Sequence, residues 1–203
     1  MSMPVTTFYC TSCDFRQGDV ETWGSRVYVT PDNRTVQVPR RLGWCEDCGG
    51  LASVETFSEA EIRKEIRDIE EELQAMPSEP SRQPWEVFKY LPFSGWETKV
   101  QRWHYKQDQL VGKLDEMTTL LAIIKQRKSP PRCLECGSSR VRAPLVQDKS
   151  LWDSPKPVAT GFIHPGCGGE LWADEDGMRI SLRPSTRYYS GDGVFIERLF
   201  NDG

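Results

Sequence analysis

Eight side chains constrain this chain more than anything else in it. Cys10-Thr-Ser-Cys13, Cys45-Glu-Asp-Cys48, Cys133-Leu-Glu-Cys136 and His164-Pro-Gly-Cys167 each carry two soft donors separated by two residues. A turn of this kind presents two donors at the separation a tetrahedral ion requires, and zinc takes four N or S donors in that geometry. All seven cysteines fall in these half-sites. With His164 they make two full sets of four and leave no thiol over. In a reducing compartment such pairs read as metal ligands rather than disulfides. Gly49, Gly137 and Gly168 follow the second cysteine of three half-sites, where the missing Cβ lets backbone N–H groups turn toward the thiolates. Asp14 departs from that pattern.

Taken in chain order, the half-sites form two copies of one module. Cys10, Cys13, Cys45 and Cys48 then hold one structural zinc, and Cys133, Cys136, His164 and Cys167 the other, with 31 and 27 residues between the half-sites. The intervals contain strand patterns. Arg26–Val29 and Thr35–Val38 flank a turn-rich Thr-Pro-Asp-Asn-Arg, and Arg140–Val146, Ala159–Ile163, Met178–Leu182 and Val194–Leu199 read as further strands. At these half-sites, over residues 8–55 and 131–175, the chain resembles the zinc ribbons. That resemblance implies structural metal on small β-sheets and a surface for protein or nucleic acid.

Between the modules the period changes from two to about 3.5. Ser58 and Glu61 suit a capped helix start. Ile62, Ile66, Ile69, Leu73 and Met76 then follow at alternating steps of four and three until Pro77. A second helix carries Val100, Trp103, Gln107, Leu110, Leu114, Met117, Leu121 and Ile124 and ends before Ser129-Pro130-Pro131. Residues 57–83 hold four Lys/Arg against eight Asp/Glu, and residues 84–132 nine against five. Acidic and basic helices with matching seams should pair as an antiparallel hairpin. The linker 77–97 is rich in aromatics, and a short helix is expected near Trp85–Leu91. Lys125-Gln-Arg-Lys128 reads as cations at a helix C-terminus, where the dipole favours them.

The expected fold class is therefore α+β: two small β-rich zinc ribbons joined by an antiparallel, coiled-coil-like helical hairpin. The expected domains are residues 1–56 with a four-cysteine ribbon, 57–130 with the hairpin and its linker, and 131–203 with a ribbon of three cysteines and one histidine and a terminal β-hairpin.

Function is argued mostly by exclusion. A catalytic zinc keeps an open position, whereas both sets here are full. No Gly-x-x-x-x-Gly-Lys-Ser/Thr loop is present, nor the His/Cys-x-Glu of a zinc deaminase. No thiol remains as a nucleophile, and His104 reads as a solvated helix residue. An enzyme is not expected, and neither is a small-molecule substrate. The net charge of −4 argues against a protein that wraps nucleic acid. The expectation is a zinc-binding adaptor for protein partners, holding two structural Zn²⁺. The alternative is an accessory nucleic-acid-binding protein. Its surface would use Arg102, Tyr105 and Lys106 on the second helix and Arg183, Arg187 and Tyr188 near the C-terminus. With no apolar run of membrane-spanning length and neither a basic nor an apolar leader segment in MSMPVTTFYC, a cytoplasmic location is expected.

Overall fold

In the computed structural model, residues 2–18, 24–79, 95–142, 157–181 and 185–200 are described. The chain forms two units, Met1–Phe57 with Arg127–Gly203, and Ser58–Gln126. Among the described residues, no helix is long and apolar enough to cross a membrane.

Among the described residues, the first unit has ten strands in three sheets. In one sheet, β1 (Ser2–Cys10), β2 (Arg16–Gln17), β7 (Val158–Ile163) and β8 (Glu170–Ser181) lie in the order β2-β1-β8-β7. β1 runs antiparallel to β8 from Ser2↔Ser181 to Cys10↔Leu171. A second sheet has the order β10-β9-β3-β4, from β3 (Ser25–Val29), β4 (Thr35–Gln37), β9 (Ser185–Ser190) and β10 (Phe195–Phe200). Here β3 and β4 make the expected hairpin, while β3 and β9 pair in parallel. The third sheet is the hairpin of β5 (Arg40–Cys45) and β6 (Gly50–Glu55).

This architecture corrects the expectation of two successive ribbons at residues 1–56 and 131–203. Early and late segments share sheets instead. The physical reason is that a two-stranded hairpin is marginal alone, and three or more strands with a buried face are needed for stability. β1–β2 gains its partners from β7–β8. The β5–β6 hairpin is extended at both edges by residues 132–142: Leu134 N–H donates to Ser53 O at 2.8 Å and Arg142 N–H to Trp44 O at 2.9 Å. A Cβ at Gly43 would lie 2.6 Å from Val54 Cγ2 and 3.3 Å from Arg142 O, so this close approach requires glycine.

Alternation along β5 and β6 gives the hairpin two working faces. Leu42, Trp44 and Leu51 join Phe8, Cys10, Leu171 and Ala173 in one core. Cys45 and Ala52 point the other way and pack with Cys133. Every residue of β6 is buried. The expected strand Arg140–Val146 is seen as far as Arg142, with a single bridge at Val141; its remainder and Leu182 lie outside the described residues.

The first unit also buries charge. Arg127 was expected as one of the cations at a helix C-terminus, but its side chain is 1% exposed and grips Glu55, itself 0% exposed. The two guanidinium nitrogens Nη1 and Nη2 donate to Glu55 Oε1 at 2.9 Å and Oε2 at 2.5 Å. Tyr28 Oη–H donates to Oε1 at 2.7 Å and the Arg132 N–H to Oε2 at 2.7 Å. A buried charge persists only when paired and hydrogen-bonded in this way.

The second unit holds α1 (Glu59–Ala75) and α2 (Gly95–Gln126). Ser58 caps α1 as expected, its side chain accepting from the Glu61 N–H. Ile62, Ile69 and Leu110 are buried, and the other described seam residues are half-buried. Glu65 pairs with Lys113, Glu72 with Lys106 and Glu79 with His104. The partners step in opposite directions along the two helices, so the helices run antiparallel. The short helix expected near Trp85–Leu91 lies outside the described residues.

Candidate metal centres

Each half-site is a turn closed by the strands on either side of it. The Cys10–Cys13 turn links β1 to β2, with the Cys10 N–H donating to Phe15 O at 3.0 Å. The His164–Cys167 turn links β7 to β8, with the His164 N–H donating to Gly169 O at 2.7 Å. Because β1 and β8 are paired, these two turns meet at the same end of one sheet, where the Thr11 N–H donates to Glu170 O. The Cys45–Cys48 turn links β5 to β6. The Cys133–Cys136 turn joins the two segments that flank that hairpin, its Cys133 N–H donating to Ser138 O at 2.8 Å. Gly49, Gly137 and Gly168 have φ of 63°, 77° and 77°, the left-handed conformation expected after the second cysteine.

The sets that result are Cys10, Cys13, His164 and Cys167, and Cys45, Cys48, Cys133 and Cys136. All eight expected donors are used, but their partition differs from the chain-order pairing of Cys10/Cys13 with Cys45/Cys48 and of Cys133/Cys136 with His164/Cys167. The centres are nested. The all-cysteine set encloses 84 residues of chain and the histidine-containing set encloses 150. Strand pairing decides the outcome: turns meet when the strands carrying them are neighbours, whatever their order along the chain.

Within each set the donor atoms lie within 4.8 Å of one another. A tetrahedron with arms of about 2.3 Å has edges of about 3.8 Å between sulfurs, and slightly shorter edges to an imidazole nitrogen. The Cys10–Cys167 Sγ separation is 3.3 Å, Cys45–Cys136 is 3.5 Å and Cys48–Cys133 is 3.8 Å. His164 turns Nδ1 inward, 3.4 Å from Cys13 Sγ and 3.2 Å from Cys167 Sγ. The residues thus fit two tetrahedral ions, consistent with two zinc sites and compatible with zinc-ribbon-like motifs.

Backbone N–H groups support the sulfurs, Ser12 donating to Cys10 at 3.4 Å, Cys48 to Cys45 at 3.5 Å and Gly169 to Cys167 at 3.5 Å. Two thiols of the all-cysteine set hold their protons more tightly than a free thiol. Burial, with the charges of Cys45 and Cys136 added, pushes Cys133 up to about 12 against the pull of the Cys136 and Glu135 N–H groups. Burial and hydrogen bonding to neighbouring thiols push Cys48 up as well. At Cys136 burial also acts upward, but the Ser138 N–H and hydrogen bonds from neighbouring thiols outweigh it, and the thiol moves down. Four thiolates crowded this closely repel one another, and a dication removes that repulsion.

Sequence reasoning missed the aromatic wall around His164. Phe15 stacks on the imidazole at 4.7 Å between ring centroids, and Trp44 meets it edge-on at 5.0 Å. The one available signal was the position of Trp44, next to Cys45 and therefore on the opposite face of its strand.

The partner surface was expected in two parts, and these fall in different units: three residues on α2 and three near the C-terminus. Arg102 and Tyr105 are exposed on α2, while Lys106 pairs with Glu72. Arg187 is 12% exposed and held by Glu135, which also pairs with Arg26. Tyr188 is half-buried, and Arg183 lies outside the described residues. A surface that sequence reasoning did not single out is β10, at the edge of its sheet. There Val194, Phe195, Ile196, Leu199 and Phe200 are 48–53% exposed. Comparison of the chain with protein-family models, with curated proteins and with solved structures finds no match.

Proposed function

We propose that this chain is a non-enzymatic adaptor, two zinc ribbons and a coiled-coil-like helical hairpin, that docks a protein partner in a larger assembly. Two structural zinc ions would hold its nested sheets, each coordinated by a full set of four donors with no position open to substrate. The observation that carries the reading is β10. Its outer edge adjoins no other described strand, and five large apolar side chains stand about half exposed along and beside it. An exposed apolar edge of this kind accepts an extended segment of a partner as an added strand. Among the described cations, many are already committed to carboxylates of the same chain: Lys106 to Glu72, Arg140 to Asp47, Arg142 to Glu46 and Arg187 to Glu135. Of the residues named for the nucleic-acid alternative, Arg102 and Tyr105 stand exposed outside these pairs, and Arg183 lies outside the described residues.

The test is a pull-down with the intact chain and with an Ile196→Glu, Leu199→Glu variant, each with and without nuclease. A defined protein partner should be retained through nuclease treatment and lost on the double substitution, while two zinc ions per chain remain. Capture abolished by nuclease, or unaffected by the β10 changes, would overturn the adaptor reading as stated.

A further inference from the structure

We infer that the two metal ions bind as a coupled pair, each raising the affinity for the other through the β5–β6 hairpin. This rests on the reading of both sets as zinc centres and goes beyond it. Three observations carry the coupling. First, the hairpin is a shared wall. Cys45 supplies a ligand to the all-cysteine centre, while its neighbour Trp44 covers His164 of the other centre and packs at 5.2 Å against Phe15. The Trp44 carbonyl in turn accepts from the Arg142 N–H, in the segment that follows the Cys133–Cys136 turn. A hairpin misplaced by loss of the all-cysteine centre's ion therefore uncovers His164.

Second, Gln17 ties the strand after the Cys10–Cys13 turn to the strand after the Cys45–Cys48 turn. Its Nε2 donates to Leu51 O at 2.8 Å and its Oε1 accepts from the Leu51 N–H at 2.7 Å. The side chain copies a pair of sheet hydrogen bonds. Third, the loops are nested. An ion in the all-cysteine set pins the ends of 84 residues, shortening the span that the histidine-containing set must close from 150 residues to roughly 66. On loop entropy alone that amounts to about threefold in affinity, and the packing adds to it. Linkage makes the effect reciprocal, so loss of either ion weakens the other by the same factor.

The experiment withdraws zinc from the fully loaded full-length chain with a chelator and reads metal stoichiometry by native mass spectrometry. Two independent, equal sites give one half of the molecules with a single ion at half-removal. Coupling of about tenfold reduces that fraction to roughly one quarter. Trp44→Leu leaves all eight ligands in place. It should still load two ions while the singly loaded fraction rises toward one half, and Gln17→Ala should shift it in the same direction. Because the two donor sets differ, unequal intrinsic affinities raise that fraction in every variant, so the comparison between chains decides: a fraction that neither substitution raises overturns the coupling. A fully loaded stoichiometry other than two defeats the zinc reading itself, a distinct outcome.

Discussion

In the helical unit, partners are set by a short repeat: Ile62 and Ile69 recur on one stripe of α1, and Glu72 meets Lys106 across the helix pair. In the strand unit, Phe8 lies opposite Ala173 and Arg26 opposite Arg187, with most of the chain between them. One unit is specified by local periodicity, the other by long-range pairing that brings together two sets of donors able to hold a metal ion. Loop-closure entropy falls mainly on the second. The contrast locates where a metal would matter. Helices with a continuous seam hold themselves together, whereas small sheets with modest cores depend on an added constraint.

Removal of both zinc ions by a chelator should have the largest effect. Structural zinc contributes on the order of 10 kcal/mol to a small domain at neutral pH, so chelation should unfold the strands. The helical circular dichroism and slow amide exchange of α1 and α2 should survive. Simultaneous loss of protection in both units would end the distinction. Acidification should act in the same direction, because protons compete with zinc for the thiolates.

Removal of one ion comes next, because nested and in-order pairings expose different thiols. His164→Ala should lower the zinc content and make Cys10, Cys13 and Cys167 reactive toward an alkylating reagent before Cys133 and Cys136. Early labelling of Cys133 and Cys136 instead would restore the chain-order pairing. His104→Ala should leave both ions bound, since His104 contacts Glu79 on the helical unit.

The next effect tests the strand unit without touching metal. Arg127→Met leaves the Glu55 carboxylate buried without its partner, which should cost about 3–5 kcal/mol. Amide exchange of β5 and β6 and the helical circular dichroism, followed separately through denaturant, should show the loss in the strand unit. The matching change in the other unit is Ile69→Ala, a buried seam residue at 4% exposure. Its cost should be about 2–4 kcal/mol, read as earlier helix melting with unchanged zinc content.

Much was legible in the sequence, for reasons the two units make plain. Helix stops and starts are local: Ser58 caps and Pro77 follows α1. The seam needs only spacing. The eight ligands were legible because their chemistry and two-residue spacing are local too. Their partition was not, since Cys10 can meet either Cys45 or His164 until β1 has chosen β8. The same applies to Arg127. A cation at a helix end is ordinarily solvated, and nothing nearby in sequence announces that Glu55 and Tyr28 enclose it. Exposure of β10 was equally hidden, because Val194–Leu199 reads simply as a strand until its position at the sheet edge is known.

The smallest effect is also the most specific to the strand unit's interior. Tyr28 is fully buried and donates to Glu55. Burial, then the charge of Glu55 and its hydrogen bond, push the phenol well above its ordinary value near 10, against the pull of Arg127. An acid with a raised folded pKa keeps its proton where the unfolded chain releases one. Stability is therefore intact below about pH 10 and falls as pH rises beyond it, by about 1.4 kcal/mol per pH unit for one such group. Thiols that ligate zinc in the folded chain would take up protons only on unfolding, a contribution that fades above their ordinary pKa of about 8.5 and is common to the unsubstituted chain and a Tyr28→Phe variant. Tyr189, buried beside Arg26 and Arg187, is shifted upward too, again chiefly by burial, so the unsubstituted chain should lose stability through both phenols. Tyr28→Phe should cost about 1 kcal/mol at neutral pH, the net value of one hydrogen bond, because Arg127 and the Arg132 N–H still satisfy Glu55. Above pH 10 the variant should lose stability with a slope smaller by about one proton, so the two curves converge. Denaturant melts from pH 8 to 11 give both slopes. Parallel curves would mean that Tyr28 ionises as freely folded as unfolded, and that Glu55 and Arg127 do not sit in a water-free interior.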